Sequence, residues 1–418
     1  MNQNRKQMAA DKARNSFLSL LGPLRRRDFA LLMAGRTSSD MGRSMRVFAR
    51  AWLVLEITGS PFLLGVVTAS LSLPSMFMPF FAGVLADRID RRKLLICTEF
   101  LLVVLWVAVS IDITLGYVEW WHLAVSAILS GVIQSFGRTG HQAILANLVK
   151  KDELPRAVAI DSVVQHWPNA GGLLLATLII GVIGTAGVFW ITAAGQLITG
   201  ITLLLMHWEQ DQPPEARKRS ILNNFTEGLH YIRGESVLLG LILIGAAATL
   251  FGGAIQFLMP FFARDILGVG AQGLGILLLS STLGVSFGSI LVMSVSNIKH
   301  RGLLLLGAVV LGTLFRIGFS QSELFYLSLV LSFGMGMFNT LRMTMLQMIM
   351  QLVSPDHLRG RVMSLRVSIM GLSWIGVLVL GALAEVIGAA NTVLVGAIVS
   401  GTVSAVIFAK MKSLREFS

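Results

Sequence analysis

Apolar runs long enough to cross a membrane recur along almost the whole chain. This pattern is what most constrains its fold. An α-helix of about 20 apolar residues spans the hydrocarbon core of a bilayer. The chain has 418 residues, of which 54% are hydrophobic and 13% charged, and its mean hydropathy is +0.74. These values exclude an ordinary soluble domain. We therefore predict an all-α membrane protein.

The apolar runs predict twelve transmembrane helices. They lie near residues 29–55, 61–86, 94–114, 121–148, 156–182, 187–207, 236–262, 272–296, 302–319, 323–352, 361–387 and 391–410. The predicted organisation is an N-terminal cytoplasmic or interfacial segment (1–27), a six-helix bundle (28–207), a cytoplasmic linker with an amphipathic helix (208–235), a second six-helix bundle (236–410) and a cytoplasmic tail (411–418).

The net charge of +12 is distributed in alternate connections between the predicted spans. Basic residues cluster at 25–27, 88–93, 150–156, 216–219, 298–301, 358–361 and in the tail, whereas the other connections carry no Lys or Arg apart from Arg264. This pattern places both termini and the central linker in the cytoplasm. A nucleic-acid partner would need these residues on one soluble face, so none is expected.

The two halves of the sequence resemble each other. ELPRAVA at 153–159 aligns with HLRGRVM at 357–363, and the alignment continues backward without a gap until Arg138 coincides with Arg342. Each of these arginines lies in the fourth predicted span of its half. A parallel repeat of this kind predicts two six-helix bundles related by a pseudo-twofold axis along the membrane normal.

Two motifs resemble a known family. GVLADRIDRRKLL at 83–95 resembles the loop motif between the second and third helices of the major facilitator superfamily. LVKKDELPRAVAIDSVV and its counterpart LVSPDHLRGRVMSL are similar to the branch that holds enterobactin exporters and macrolide-efflux-like proteins. The resemblance implies a multi-pass, monomeric protein of the bacterial inner membrane. Its central cavity would be lined mainly by the first and fourth helices of each half and would open alternately to either side.

The loop motif supplies candidate gate residues. A carboxylate at Asp87 can bind a helix N-terminus of the other half, and Arg91 can extend the charge network. Gly83 would allow close helix packing. In the family this contact holds the cytoplasmic side shut, so we predict a gate at Gly83, Asp87, Arg88 and Arg91. The family usually has Gly where this chain has Asp90. The alternative is that the basic run only sets the topology.

A stripe of ionisable residues interrupts the first span. Its members are Arg36, Asp40, Arg43, Arg46 and Arg50. At about 100° per residue they fall within roughly 120° of arc on a helix, and an arginine near the bilayer centre costs about 2.5 kcal/mol or more. The stripe therefore predicts a water-filled, positively charged cavity. The predicted substrate-binding residues are Arg43, Arg46, Arg50, Arg138, Gln142, Asn339 and Arg342.

These arginines outnumber the acids at comparable depth, Asp40 and Asp161. A positive cleft concentrates anions, and guanidinium groups suit carboxylate, phosphate or catecholate oxygens. We therefore expect an anionic small molecule as the substrate. Two alternatives remain: Arg36 and Arg50 extend to the interfaces while Arg46 pairs internally, and the amide side chains only hydrogen-bond between helices.

Four residues are candidates for proton coupling: Asp40, Asp161, His141 and His166. Asp40 is either a proton switch or the counter-ion of Arg36 and Arg43, and its spacing favours the counter-ion role. Asp161 has fewer cations near it in sequence and is therefore the better candidate. A histidine in a span is more often a hydrogen-bonded wall residue than a proton relay.

No nucleotide-binding loop, metal-spaced His/Cys cluster or nucleophile elbow occurs in the sequence. We therefore expect neither an enzyme nor a cofactor or metal. Three functional hypotheses remain: a secondary active exporter of an anionic small molecule, a proton-coupled multidrug antiporter, and a transporter of anionic lysolipids. Protons and membrane lipids are the other expected partners.

Overall fold

The computed structural model describes residues 22–86, 91–148, 154–206, 234–295 and 301–411. Every regular element in these ranges is helical. The helices are α1 (Arg27–Thr58), α2 (Pro61–Ala86), α3 (Arg91–Leu115), α4 (Trp120–Leu148), α5 (Leu154–Leu205), α6 (Ser236–Leu250), α7 (Ala254–Phe261), α8 (Gly270–Val295), α9 (Arg301–Ser320), α10 (Phe325–Val353), α11 (Asp356–Gly371) and α12 (Ser373–Lys410). A 3-10 turn (Gly22–Arg25) precedes α1, and a π-helical turn (Phe262–Ile266) follows α7. Most of the predicted N-terminal segment, linker and tail lies outside the described residues.

Eight helical stretches are long and apolar enough to cross a membrane. They are Pro61–Met78, Arg92–Leu115, Trp167–Leu205, Ser236–Ile266, Gly270–Val292, Arg301–Ser320, Phe325–Val353 and Leu365–Lys410. Helices suit this setting because each backbone group finds its partner within its own segment. Helix α1 is not among the eight, because its ionisable residues lower its hydropathy. The described part of the chain thus agrees with an all-α membrane protein, while the count of twelve spans stays a prediction.

Two of the long helices are broken at a glycine. Gly184 in α5 has φ 70° and ψ −175°, and Gly388 in α12 has φ 82° and ψ 162°. Side chains are disfavoured at these positive φ values, which glycine adopts readily. Both breaks fall between predicted spans, the first between 156–182 and 187–207 and the second between 361–387 and 391–410.

Each half is assembled from long helix pairs. In the first half α1 packs along α5, and α2 packs against α4. In the second half α8 packs along α10, and α9 packs against α10 and α12. The two halves meet chiefly where α2 contacts α12 and where α5 contacts α8.

The apolar cores reveal that the two halves are joined at one end. The largest buried cluster contains residues of both halves, among them Leu55, Phe189 and Phe262. A second cluster, around Met345, belongs to the second half alone, and a third, around Phe29, belongs to the first half alone. The described halves therefore share a core near the α1–α2 connection and have separate cores at the opposite end.

Candidate functional site

A cavity of about 440 Å³ lies within the first half of the protein. Its polar lining comes from α1, α3, α4 and α5. These residues are Arg36, Ser39, Asp40, Arg43, Arg46, Thr98, Glu99, Gln134, Asn169, Thr199 and Thr202. The α1 members recur every three or four residues and so share one helical face, as the sequence predicts. Because α1 packs along α5, this face lies beside polar residues of the neighbouring helices.

A chain of ion pairs runs along the cavity wall. The Arg36 guanidinium donates to the Asp161 carboxylate from Nη1, and its Nε lies 3.6 Å from Asp40 Oδ2. Asp40 Oδ1 in turn accepts from Arg43 Nη2 at 3.1 Å. The two acidic candidates for proton coupling, Asp40 and Asp161, are therefore both bound to arginine. The Arg43 side chain is 40% exposed and retains donors that face the cavity.

A second polar chain joins three helices deeper in the first half. Gln196 of α5 donates from Nε2 to the carboxylate of Glu99 on α3. The Oε1 atom of the same amide accepts from Arg46 Nη2 of α1 at 3.4 Å. Gln196 therefore bridges an acid and a guanidinium, and its own side chain is neutral. Arg46 is only 3% exposed, and its Nη1 has no hydrogen-bond partner among the described residues.

Glu99 is a site residue that the sequence reasoning missed. It lies in CTEFLLVV, inside the third predicted span. A lone carboxylate at that depth is itself a functional signal, and this signal could have identified it. With Glu99 included, the site has three acids, Asp40, Glu99 and Asp161, opposite four arginines, Arg36, Arg43, Arg46 and Arg50. The excess of positive charge among the described residues is therefore smaller than the sequence count suggested.

Trp106 of α3 supports the buried end of the arginine stripe. The guanidinium carbon of Arg46 lies 4.5 Å from the centre of the Trp106 ring, and that of Arg50 lies 5.5 Å from it. Contacts of this kind with a desolvated cation are worth about 2 kcal/mol. Arg50 is 6% exposed. A neighbouring cavity of about 220 Å³ is lined by both arginines and Trp106, and it shares Arg43, Arg46 and Gln134 with the larger one.

Arg342 and Asn339 do not join this site. Arg342 Nη2 donates to Asn339 Oδ1 at 2.8 Å, and both residues line a separate small cavity inside the second half. The internal sequence repeat correctly predicted that Arg342 lies in the fourth predicted span of the second half, which is α10. It could not predict which side chains surround Arg342. Among the described residues, no residue that lines this small cavity also lines the larger cavity of the first half.

Several predicted residues cannot be placed in the site. Arg138, His141 and Gln142 lie on α4 and His166 lies on α5, but their side chains are outside the described part of the chain. Of the gate residues, Gly83 lies on α2 and Arg91 begins α3. Asp87 and Arg88 lie outside the described residues. In the described ranges, no group of three His, Cys, Asp or Glu side chains is arranged to hold a metal ion.

Solved structures with this fold are transporters. A bacterial homologue of the human lysosomal transporter Spinster, in an inward-facing and occupied conformation, aligns with a TM-score of 0.76 and 12% identity over 94% of this chain and 98% of that one. A D-xylose–proton symporter aligns with a TM-score of 0.71 and 12% identity over 93% and 98%. At such identities the likeness establishes the fold alone.

Sequence relatives are efflux proteins. The multidrug efflux pump Tap of Mycolicibacterium fortuitum is 25% identical over 386 residues, which cover 88% of this chain and 90% of Tap. The enterobactin exporter EntS of Shigella boydii is 26% identical over 316 residues, 73% of each chain. The sequence profile of the transmembrane secretion effectors matches residues 18–417. The predicted superfamily is thus confirmed: the chain belongs to the transmembrane secretion effector family of the major facilitator superfamily, and it is a multi-pass membrane transporter rather than an enzyme.

Proposed function

We propose that the protein exports an anionic small molecule, siderophore-like or another carboxylated metabolite, across the bacterial inner membrane. The observation that carries this proposal is the cavity lined by Arg36, Arg43 and Arg46. Guanidinium groups in a cleft of low dielectric bind carboxylate or catecholate oxygens through paired hydrogen bonds. The relative named as an enterobactin exporter supports the same class of cargo.

The proposed orientation follows from charge. The positive-inside rule puts the basic connections and both termini of a twelve-span protein in the cytoplasm. The core shared by the halves then lies at the outer side, and the cavity, which begins at Leu32 near the start of α1, lies toward the cytoplasm. This is an inward-open arrangement that can load cargo from the cell interior. Rocking of the two halves would then expose the cavity to the outside.

A proton-coupled multidrug antiporter is the second candidate. It is favoured by the three carboxylates Asp40, Glu99 and Asp161 near the cavity, which offset much of the arginine charge. The relative named as a multidrug efflux pump points the same way. A cationic drug would need these acids ionised, whereas an anion would need the arginines free.

We assign proton coupling to Glu99 in preference to Asp40 or Asp161. Asp40 contacts two arginines and Asp161 contacts one, whereas the direct partner of Glu99 is the neutral amide of Gln196. A proton on Glu99 would free Arg46 from its opposing charge and add one positive charge to the cavity. Protons and an anionic cargo would then bind together, whereas protons and a cationic drug would compete.

The two candidate functions can be distinguished by whether binding of the cargo strengthens or weakens when a proton binds. Binding of a dihydroxybenzoate, citrate and ethidium to the purified protein is measured as pH is lowered. The proposal predicts that anion affinity rises with acid, that Arg46→Gln weakens anion binding, and that Arg27→Gln, an exposed control at the start of α1, leaves it unchanged. Ethidium binding that weakens with acid, with no anion competing, would establish the multidrug function instead. Competition by lysophosphatidylglycerol alone would establish the lipid function.

Transport in proteoliposomes completes the test. Wild type, Arg46→Gln and Arg138→Ala are compared for uptake of the same probes with the inward face accessible. An anion leaving a cell moves with the membrane potential, which contributes about 2.3 kcal/mol per charge per 100 mV. Uptake through this face corresponds to export, so uptake of a multiply charged anion should increase when the vesicle lumen is made positive, whereas uptake of a cation should slow.

A further inference from the structure

A second polar cluster is buried inside the second half, apart from the arginine-lined cavity of the first half. It surrounds a space of about 10 Å³ between α6, α9, α10 and α12. Its polar lining is Thr313, Arg316, Asn339, Arg342, Ser400 and Ser404. The two cavities have no lining residue in common. The cluster is therefore a separate site.

Two positive side chains meet in this cluster with no acid beside them. Arg316 is 8% exposed and Arg342 is 7% exposed. No carboxylate within the described residues forms an ion pair with either of them. Arg342 Nη2 donates to Asn339, while its Nε and Nη1 have no hydrogen-bond partner among the described residues.

Buried cations of this kind need a counter-charge. Removing a charged group from water costs several kcal/mol even after relaxation, and like charges placed together add to the cost. In the first half, the carboxylate of Asp161 binds the partly buried Arg36, and Glu99 lies in the same polar chain as the buried Arg46. The second half offers neutral neighbours instead, and the hydroxyls of Ser400 and Ser404 already donate to backbone carbonyls of α12.

We propose that Arg316 and Arg342 bind a monatomic anion of chloride size between α9 and α10. The free N–H groups of Arg342 supply the donors, and the anion supplies the negative charge that the helices lack. A space of about 10 Å³ is at the lower limit for one water-sized sphere, so it excludes carboxylate- and phosphate-bearing molecules and admits at most a single small ion. The ion would hold together the helices that support the second half during rocking.

Thermal unfolding of the purified full-length chain in detergent tests this site. Sodium chloride is exchanged for sodium gluconate at constant ionic strength. The melting temperature of the wild type should rise with chloride and reach a plateau, because a ligand that binds only the folded state stabilises it. Arg316→Gln and Arg342→Gln should each abolish the rise. Arg27→Gln and Arg46→Gln should retain it, which separates this site from the surface and from the cargo cavity.

A direct measurement covers the case in which the buried variants fail to fold. Crystals of the wild type grown in sodium bromide should give an anomalous scattering peak between Arg316 and Arg342. A peak only beside the α1 arginines would overturn the proposal, as would a wild-type melting temperature that does not respond to chloride. Neither measurement involves transport, so the result is independent of the cargo assigned above.

Discussion

The carboxylate of Glu385 on α12 accepts a hydrogen bond from the hydroxyl of Ser60, at 2.8 Å, although the two residues belong to opposite halves. The same oxygen accepts from the backbone N–H of Phe62 at 3.2 Å, so the acid lies at the N-terminus of α2. Nearby, Arg264 Nη1 donates at 2.9 Å to the carbonyl of Leu55, near the C-terminal end of α1. Two charges of the second half thus bind the ends of two helices of the first half, each with the sign that the helix dipole favours.

Replacing Glu385 with Gln should weaken the contact between the halves. A charge at an exposed helix terminus contributes about 0.3–1 kcal/mol, which is up to roughly a fivefold change in the ratio of two states. We expect the ends of the two halves beside this contact to separate more often. Spin labels at Tyr117→Cys and Tyr326→Cys, in a Cys97→Ser background, should report longer distances by pulsed electron resonance. Glu323→Gln, an exposed acid in the α9–α10 connection, serves as the control and should change nothing.

A side chain at Gly65 should force the same contact open. A Cβ built there lies 3.1 Å from the Val377 carbonyl oxygen and 3.4 Å from the Gly381 Cα, both backbone atoms of α12. Gly65→Val should therefore lengthen the label distances more than Glu385→Gln does. Gly245→Val is the matched control, since a Cβ at Gly245 meets nothing within 4 Å. Equal effects of the two valines would refute close packing of α2 on α12.

Glu99→Gln should remove the pH dependence that we propose for anion binding. The amide mimics the protonated acid, so Arg46 has no opposing charge and affinity should stay at its acid value when pH is raised. Isothermal titration with the anion across a pH series measures this. Glu119→Gln, at an exposed position before α4, should keep the wild-type profile. If the profile persists in Glu99→Gln but vanishes in Asp161→Asn, then Asp161 is the coupling residue.

Arg36 and Asp161 should be strongly coupled in stability. Their ion pair is partly buried, at 15% and 13% side-chain exposure, and removing Arg36 leaves the Asp161 carboxylate without its partner, whereas Arg36 keeps Asp40 when Asp161 is removed. A double-mutant cycle with Arg36→Met and Asp161→Leu should give a coupling free energy of roughly 1–3 kcal/mol. The double variant should be more stable than Arg36→Met alone, because the single variant leaves the Asp161 carboxylate unpaired. Additive effects in unfolding measurements would contradict the pairing.

Trp106→Leu should destabilise the buried end of the stripe. It removes the ring that contacts both Arg46 and Arg50, a loss of roughly 2–4 kcal/mol from the two contacts together. Trp106→Phe should lose less, because a phenyl ring keeps part of the interaction. Trp121→Leu, at a side chain that is half exposed, should leave the melting temperature near that of the wild type. A Leu variant as stable as the Phe variant would mean that the ring face is not used.

The sequence alone predicted those properties that depend on residues close together in the chain. The apolar runs predicted the helical membrane fold, and two loop motifs identified the superfamily that the family profile confirms. The helical period placed Arg36, Arg43 and Arg46 on the face that lines the cavity. Each of these predictions depends only on residues close together in the chain.

The tertiary structure decided which partners these residues have. Arg36 binds Asp161, Arg46 reaches Gln196, and Gln196 in turn reaches Glu99; each pair lies on different helices, far apart in sequence. It also separated Arg342 from the α1 stripe and placed it beside Arg316. Helical spacing determines the face on which a residue lies. Partners across helices depend on how each helix is rotated and shifted against its neighbours, which is a product of the packing of the whole bundle.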